Sequence, residues 1–234
     1  MSDESEPKRR WRGPKPGESM GRKLAERVLK KNIHKESSRR WIARQVNDPY
    51  VQRAQAEGWR ARSAFKLIEL DEKFHLLKTG ARVADLGAAP GGWAQAALKR
   101  GARAVVGIDL LAINPLTGAT FLELDFLDPE ASAALIAALG GPPDLVLSDM
   151  AANTTGHNKT DQIRTGALAE AAADFALAHL APGGAFVTKA FQGGLDRALL
   201  ARLKQAFATI RHAKPPASRA ESSEVYLVAM GRKG

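Results

Sequence analysis

The 234-residue sequence contains no cysteine. That excludes disulfides and thiolate metal sites and suits a reducing compartment, so a cytoplasmic protein is expected. No run of eighteen apolar residues occurs, so no transmembrane helix and no membrane partner are expected. The first residues, Met1-Ser2-Asp3-Glu4-Ser5-Glu6-Pro7-Lys8, lack the apolar stretch of a signal peptide. No internal repeat is visible, and the alanine-rich stretches read as ordinary helices. Acidic residues are scarce at one end only. Residues 1–44 hold 14 Lys and Arg against 6 Asp and Glu, whereas the remaining 190 residues hold 21 against 19. Most of the net charge of +10 therefore sits in the first fifth of the chain, and such a segment suits phosphate-rich partners.

The most informative stretch is Asp85-Leu86-Gly87-Ala88-Ala89-Pro90-Gly91-Gly92-Trp93, which follows the apolar Val83-Ala84 and precedes Ala94-Gln95-Ala96-Ala97-Leu98. It reads as a strand, a glycine-rich turn and a helix. Glycines at 87, 91 and 92 let the backbone adopt conformations closed to other residues and approach a ligand closely. Asp85, at the strand end, can accept hydrogen bonds from an amine or hydroxyl. A second apolar strand, Ala104-Val105-Val106-Gly107-Ile108, ends in Asp109, and a carboxylate there is placed to hold a ribose diol. The turn G-A-A-P-G-G does not match the dinucleotide fingerprint G-x-G-x-x-G. Pro90 also removes a backbone donor that a pyrophosphate would use. A cofactor that bears adenosine but no phosphate fits better, and S-adenosylmethionine is such a molecule.

The first ~20 residues, rich in Pro, Gly and charge, are expected to be disordered. Residues 21–46 could form a basic helix on RNA. Asp48-Pro49-Tyr50 reads as a helix start, with proline at the first helical position. A helix over 62–76 would turn Phe65, Ile68 and Leu76 inward. Beyond it, strands at 82–86, 104–108, 120–124, 144–148 and 184–189 alternate with helices at 93–99, 130–139, 166–180 and 196–206. This order predicts an α/β fold, a mostly parallel sheet with helices on both faces. The end breaks the pattern. A segment near 208–213 is followed by Pro215-Pro216 and then by the apolar 224–229 with no helix between. These two strands should pair as a hairpin, giving one antiparallel strand near the C-terminus. Residues 1–45 are thus read as a basic, disordered extension and 46–234 as the domain proper.

Three strand ends carry charge after apolar runs: Asp125 after Leu122-Glu123-Leu124, Asp149 after Leu145-Val146-Leu147-Ser148, and Lys189 after Ala185-Phe186-Val187-Thr188. Ligands of open α/β sheets sit at the carboxyl ends of the strands, so these groups should converge near the cofactor. Lys189 is the least expected, because an apolar strand end partly desolvates its amine.

The motifs D-L-G-A-A-P-G-G-W, L-S-D-M-A, F-V-T-K-A-F-Q-G and S-S-E-V-Y-L-V-A, with R-S-A-F-K-L upstream, resemble those of the FtsJ/RrmJ family of RNA ribose 2′-O-methyltransferases. The resemblance runs from Asp48 to Arg232, and length and ending are most similar to bacterial members acting on 23S ribosomal RNA of the large subunit. It implies a Rossmann-like class I methyltransferase sheet, S-adenosylmethionine as cofactor, and a ribose 2′-hydroxyl, expected to be a uridine's, as acceptor. The partner would be ribosomal RNA within the large subunit, met by a monomer. The family's Lys-Asp-Lys-Glu catalytic pattern falls on Lys66, Asp149, Lys189 and Glu224. Its cofactor contacts fall on Gly91, Trp93, Asp109, Asp125 and Asp149. Read alone, Lys66 is an ordinary helix lysine and Glu224 a surface carboxylate. One departure is visible: the family's proline after D-M-A is Ala152 here, which is expected to loosen the loop near Asp149.

The chemistry implied is coherent. A ribose hydroxyl is a poor nucleophile until it begins to lose its proton, and a sulfonium methyl is already activated, so no metal is expected. Lysine acts as a base only when neutral, against a reference pKa of about 10.4. Burial and a neighbouring cation favour the neutral form, whereas nearby carboxylates oppose it. Three alternatives stay open: another RNA of the same chemistry (transfer RNA or a messenger cap), a non-catalytic RNA-binding assembly factor, and a nicotinamide-dependent oxidoreductase. The last is disfavoured by the missing fingerprint.

Overall fold

The computed structural model describes residues 46–152, 158–191 and 196–234. The expected disordered tail, the basic helix over 21–46 and Asn153 lie outside them, apart from the single helical residue Val46. The chain divides into two units, Met1–Asp48 and Pro49–Gly234, and the fold is that of the second.

Its elements are α1 (Pro49–Ala56), α2 (Ala64–Phe74), β1 (Arg82–Leu86), α3 (Gly92–Lys99), β2 (Ala104–Asp109), β3 (Ala119–Glu123), α4 (Ala131–Leu139), β4 (Leu145–Ser148), α5 (Asn158–His179), β5 (Ala185–Phe191), α6 (Arg197–Ala206), β6 (Phe207–Ala213) and β7 (Glu224–Arg232). The seven strands form one sheet in the order β3-β2-β1-β4-β5-β7-β6. All neighbouring pairs from β3 to β5 are parallel, and β7 runs antiparallel to both β5 and β6. The hairpin of β6 and β7 thus forms as expected, with β7 as the reversed strand.

Strands buried on both sides read as continuous apolar runs rather than alternating ones. Alternate residues feed two cores. Ala84, Leu86, Val106, Ile108, Val146 and Phe186 pack with α4, α5 and α6. Val83, Val105, Leu145, Leu147, Val187 and Val228 pack with α2 and α3. Helices therefore cover both faces. Among the described residues no helix is long and apolar enough to cross a membrane.

One element begins well before its expected start. Helix α5 starts at Asn158 rather than near 166. Its added segment, Asn158-Lys159-Thr160-Asp161-Gln162-Ile163-Arg164, has a single large apolar residue, and Ile163 is 74 % exposed. A segment that buries so little apolar surface leaves no periodic signal in the sequence. Helix α2 spans Ala64–Phe74 rather than 62–76, and His75, left-handed at φ 54°, closes its C-terminal end.

Candidate active site

The strand order reverses between β1 and β4, and ligands of such sheets bind in the crevice at that point. A cavity of about 340 Å³ opens there, lined by Gly87 and Ala89 after β1, Asp109 to Leu111 after β2, Leu124 to Phe126 after β3, Asp149 to Ala151 after β4, and Ile108 and Leu168. Its size falls within the roughly 300–1,000 Å³ of small-molecule sites. Asp109 ties its walls together: one carboxylate oxygen accepts from the Ala89 N–H at 2.9 Å and the other from the Leu111 N–H at 2.9 Å. Asp125 accepts from the Leu127 N–H through Oδ1.

Of the sequence-derived cofactor residues, Gly87, Asp109, Asp125 and Asp149 line this cavity, while Asp85, Gly91, Gly92 and Trp93 lie off its wall. Gly87, at φ 77°, has no room for a side chain: a Cβ would stand 2.7 Å from Met150 Cγ. Trp93 is buried, donates its indole N–H to the Ser63 carbonyl at 2.8 Å, and packs 5.7 Å from the Tyr226 ring. Asp85 is 1 % exposed and neither carboxyl oxygen has a hydrogen-bond partner. Burial, then repulsion from Asp149, push its pKa up to about 8, and the approach of the Ala94 backbone N–H offsets this only in part. The residues present fit S-adenosylmethionine: Asp109 and Asp125 offer carboxylates for hydroxyl and amine groups, and Ile108, Leu110, Leu111 and Phe126 offer apolar wall.

Beside the cavity the four sequence-derived catalytic residues come together. They reach one place because of strand parity. Lys189 of β5 stands opposite Tyr226 of β7, and Phe191 opposite Glu224; opposed residues share a face. That face is the one covered by α2, which delivers Lys66. Asp149 follows β4 on the same side. Lys66 Nζ lies 2.8 Å from Glu224 Oε1 and 3.7 Å from Asp149 Oδ2. Lys189 Nζ lies 3.1 Å from Asp149 Oδ1 and donates to the Asp149 carbonyl at 2.5 Å. Both lysines are only 8 % exposed. Burial works against the charge of Asp149, but Lys189 and then Lys66, with hydrogen bonds from Tyr226 and Lys189, hold its pKa below the usual carboxylate value.

The centre of this cluster is a residue the sequence reading missed. The Tyr226 hydroxyl accepts from Lys66 Nζ at 3.0 Å and faces Asp149 Oδ1 at 2.8 Å and Glu224 Oε1 at 3.1 Å. It has one proton, so it donates to one carboxylate at a time. Burial first, and then the charges of Asp149 and Glu224, raise its pKa well above 10.0, so it stays protonated. Ser218 completes the set by donating to Glu224 Oε1 at 2.9 Å. The available signal was a tyrosine inside an apolar strand, whose hydroxyl must find a partner when buried. At Ala152, the backbone N–H reaches Thr165 Oγ1 at 3.4 Å. A proline there would lack that donor, so on the described side of the loop the departure adds a tie rather than only loosening it.

The two lysines differ in their hydrogen-bond inventory. Lys66 has two acceptors in bonding range and a third anionic oxygen beyond them, which suits the three donors of an ammonium. Lys189 has two acceptors, both from Asp149. An amine nitrogen has three directions besides its own carbon, so these two bonds leave one open to a newcomer.

The description FtsJ-like methyltransferase matches residues 59–232 of the chain. A ribosomal RNA large subunit methyltransferase E of Novosphingobium aromaticivorans is 63 % identical over 199 residues, covering 85 % of this chain and 90 % of that relative. The protein of the same name from Hyphomonas neptunium is 54 % identical over 233 residues, 99 % of each chain. Among solved structures, one assigned as a ribosomal RNA methyltransferase from Plasmodium falciparum superposes with a TM-score of 0.65 at 29 % identity, over 75 % of this chain and 100 % of that one.

Proposed function

The chain belongs to the FtsJ-like methyltransferase family, and from that premise we propose that it methylates a ribose 2′-hydroxyl of large-subunit ribosomal RNA, using S-adenosylmethionine in the cytoplasm. The observation that carries the reading is Asp149. The same residue lines the cavity and holds Lys189, an arrangement that would bring methyl donor and base to one point. A relative bearing the rRNA methyltransferase name over 99 % of both chains supports the substrate.

When bound, S-adenosylmethionine supplies a methyl group activated by its sulfonium. Asp109 and Asp125 would hold the hydroxyls and amines of its adenosine end. Lys189, with one direction left open beside its two bonds to Asp149, would take the proton that the ribose hydroxyl gives up. Lys66, locked by Glu224 and Tyr226, places a positive charge on the far side of Asp149. That charge balances the carboxylate. Alignment of hydroxyl and methyl supplies a large share of the rate. The basic segment 1–45 adds phosphate contacts that hold the RNA without reading its sequence.

The test is to incubate the purified protein and methyl-labelled cofactor with large-subunit particles from cells lacking the gene, and to map ribose methylation. One new 2′-O-methyl nucleotide in 23S ribosomal RNA, expected at a uridine, is the predicted outcome. Labelling confined to transfer RNA or to a base would overturn the assignment.

A further inference from the structure

Arg60 sits just before α2, in the basic R-A-R-S stretch that a charge-based reading would give to RNA. Its geometry points elsewhere. Its backbone N–H donates to Gln95 Oε1 at 2.9 Å, and Gln95 Nε2 donates to the Gly58 carbonyl at 2.9 Å. Gln95 belongs to α3, so the helix that follows the glycine turn grips the segment carrying Arg60. The guanidinium then reaches three carbonyls on two loops: Pro90 at 3.3 Å in the turn after β1, and Asn114 at 2.6 Å and Pro115 at 2.5 Å in the loop after β2. It lies 5.9 Å from the Phe121 ring centroid. Only the planar fork of arginine can serve several carbonyls at fixed angles.

Those two loops supply Gly87 and Ala89, and Leu110 and Leu111, to the cavity. Asp109 joins them from the inside through the Ala89 and Leu111 N–H groups, and Arg60 joins them from the outside. Gly91 gains a second explanation. A Cβ at 91 would stand 3.0 Å from Arg60 Nη1 and 3.2 Å from its Cδ, so the missing side chain leaves the space the arginine fills.

We propose that Arg60 is a positioning residue for the cofactor: it clamps the loops after β1 and β2 at the spacing that S-adenosylmethionine requires, and it is not an RNA contact. The proposal rests on the cofactor assignment made above. Arg60→Ala and Arg60→Lys are to be compared with the parent chain by three measurements: calorimetric affinity for S-adenosylmethionine, affinity for a large-subunit RNA fragment across a salt series, and steady-state methylation.

Loss of the clamp should weaken cofactor binding by about tenfold or more and raise the KM for the cofactor in proportion. The maximal rate, the RNA affinity and its salt slope should stay near the parent's. Arg60→Lys keeps the charge but not the fork, so it should show the same defect in smaller degree. It is also the variant on which the question is decided if Arg60→Ala does not fold. Unchanged cofactor affinity in a folded variant overturns the proposal. So does a reduced RNA salt slope with normal cofactor affinity, which would make Arg60 a phosphate contact. Failure of the parent chain itself to bind S-adenosylmethionine would instead sink the cofactor assignment.

Discussion

Asp85 stands in the interior with both oxygens unpartnered, and that arrangement has a measurable signature. Its carboxyl rises from 3.8 in a free side chain to about 8 in the folded protein. Below pH 3.8 the group is protonated in both states and contributes no difference. Between that pH and about 8, the folded state keeps a proton that the unfolded state has released. The native state therefore loses stability as pH rises through this window, by about 1.4 kcal/mol per pH unit and on the order of 5 kcal/mol across it. Above the upper limit both states are ionised and the full penalty remains.

Asp85→Asn removes the ionisation and keeps the shape. The buried amide carries its own cost, but that cost is the same at every pH. Urea unfolding of the full chain without cofactor, at several pH values between about 5 and 9, gives the stability difference between the two proteins from the shift in midpoint. The variant should gain on the parent steadily with rising pH until about 8 and then run parallel to it. Differences taken pairwise cancel the titrating groups that do not interact with Asp85. Parallel profiles from pH 5 to 8 (on the order of 4 kcal/mol below expectation) would refute the reasoning: Asp85 would then be ionised in the folded state and paired with a cation.

Two further outcomes are expected at the catalytic cluster. Lys189→Ala should lower single-turnover methylation of large-subunit particles by about 10²–10⁴ at saturating cofactor, with cofactor affinity retained by calorimetry; near-normal rates would remove this lysine as the base. Tyr226→Phe removes an acceptor from Lys66 and the one proton shared between two carboxylates in a buried site, so it should cost about 1–3 kcal/mol of stability by urea unfolding and lower the maximal rate more than the KM for RNA; an unchanged rate would make the hydroxyl a packing feature only.

Most of the fold was legible because burial on both faces makes strands such as Leu145–Ser148 and Ala185–Phe191 plain apolar runs. The reversal of β7 could be read from Pro215-Pro216 and from the lack of a helix before Glu224. The start of α5 could not, since its first turns are polar and Ile163 faces outward. The site divides along a similar line. Asp149 and Lys189 stand out as charges that follow apolar runs, although β5 continues past Lys189 to Phe191. Lys66 and Glu224 carry no such mark, and only resemblance to a family picked them out.

What escaped the sequence were other partners chosen by topology. Arg60 meets carbonyls thirty and more positions away, and Tyr226 meets Lys66 across 160 positions. No local pattern specifies such pairs; for Tyr226 the register of β5 against β7 does. That register is itself fixed by apolar residues with no chemistry of their own. Val187 lies opposite Val228 in one core, and Phe186 opposite Ala229 in the other. A slip of one position would send Val228 and Leu227 to the wrong faces and, with them, turn Tyr226 and Glu224 away from the lysines. The packing of β7 therefore holds the catalytic cluster in place as directly as any hydrogen bond within it.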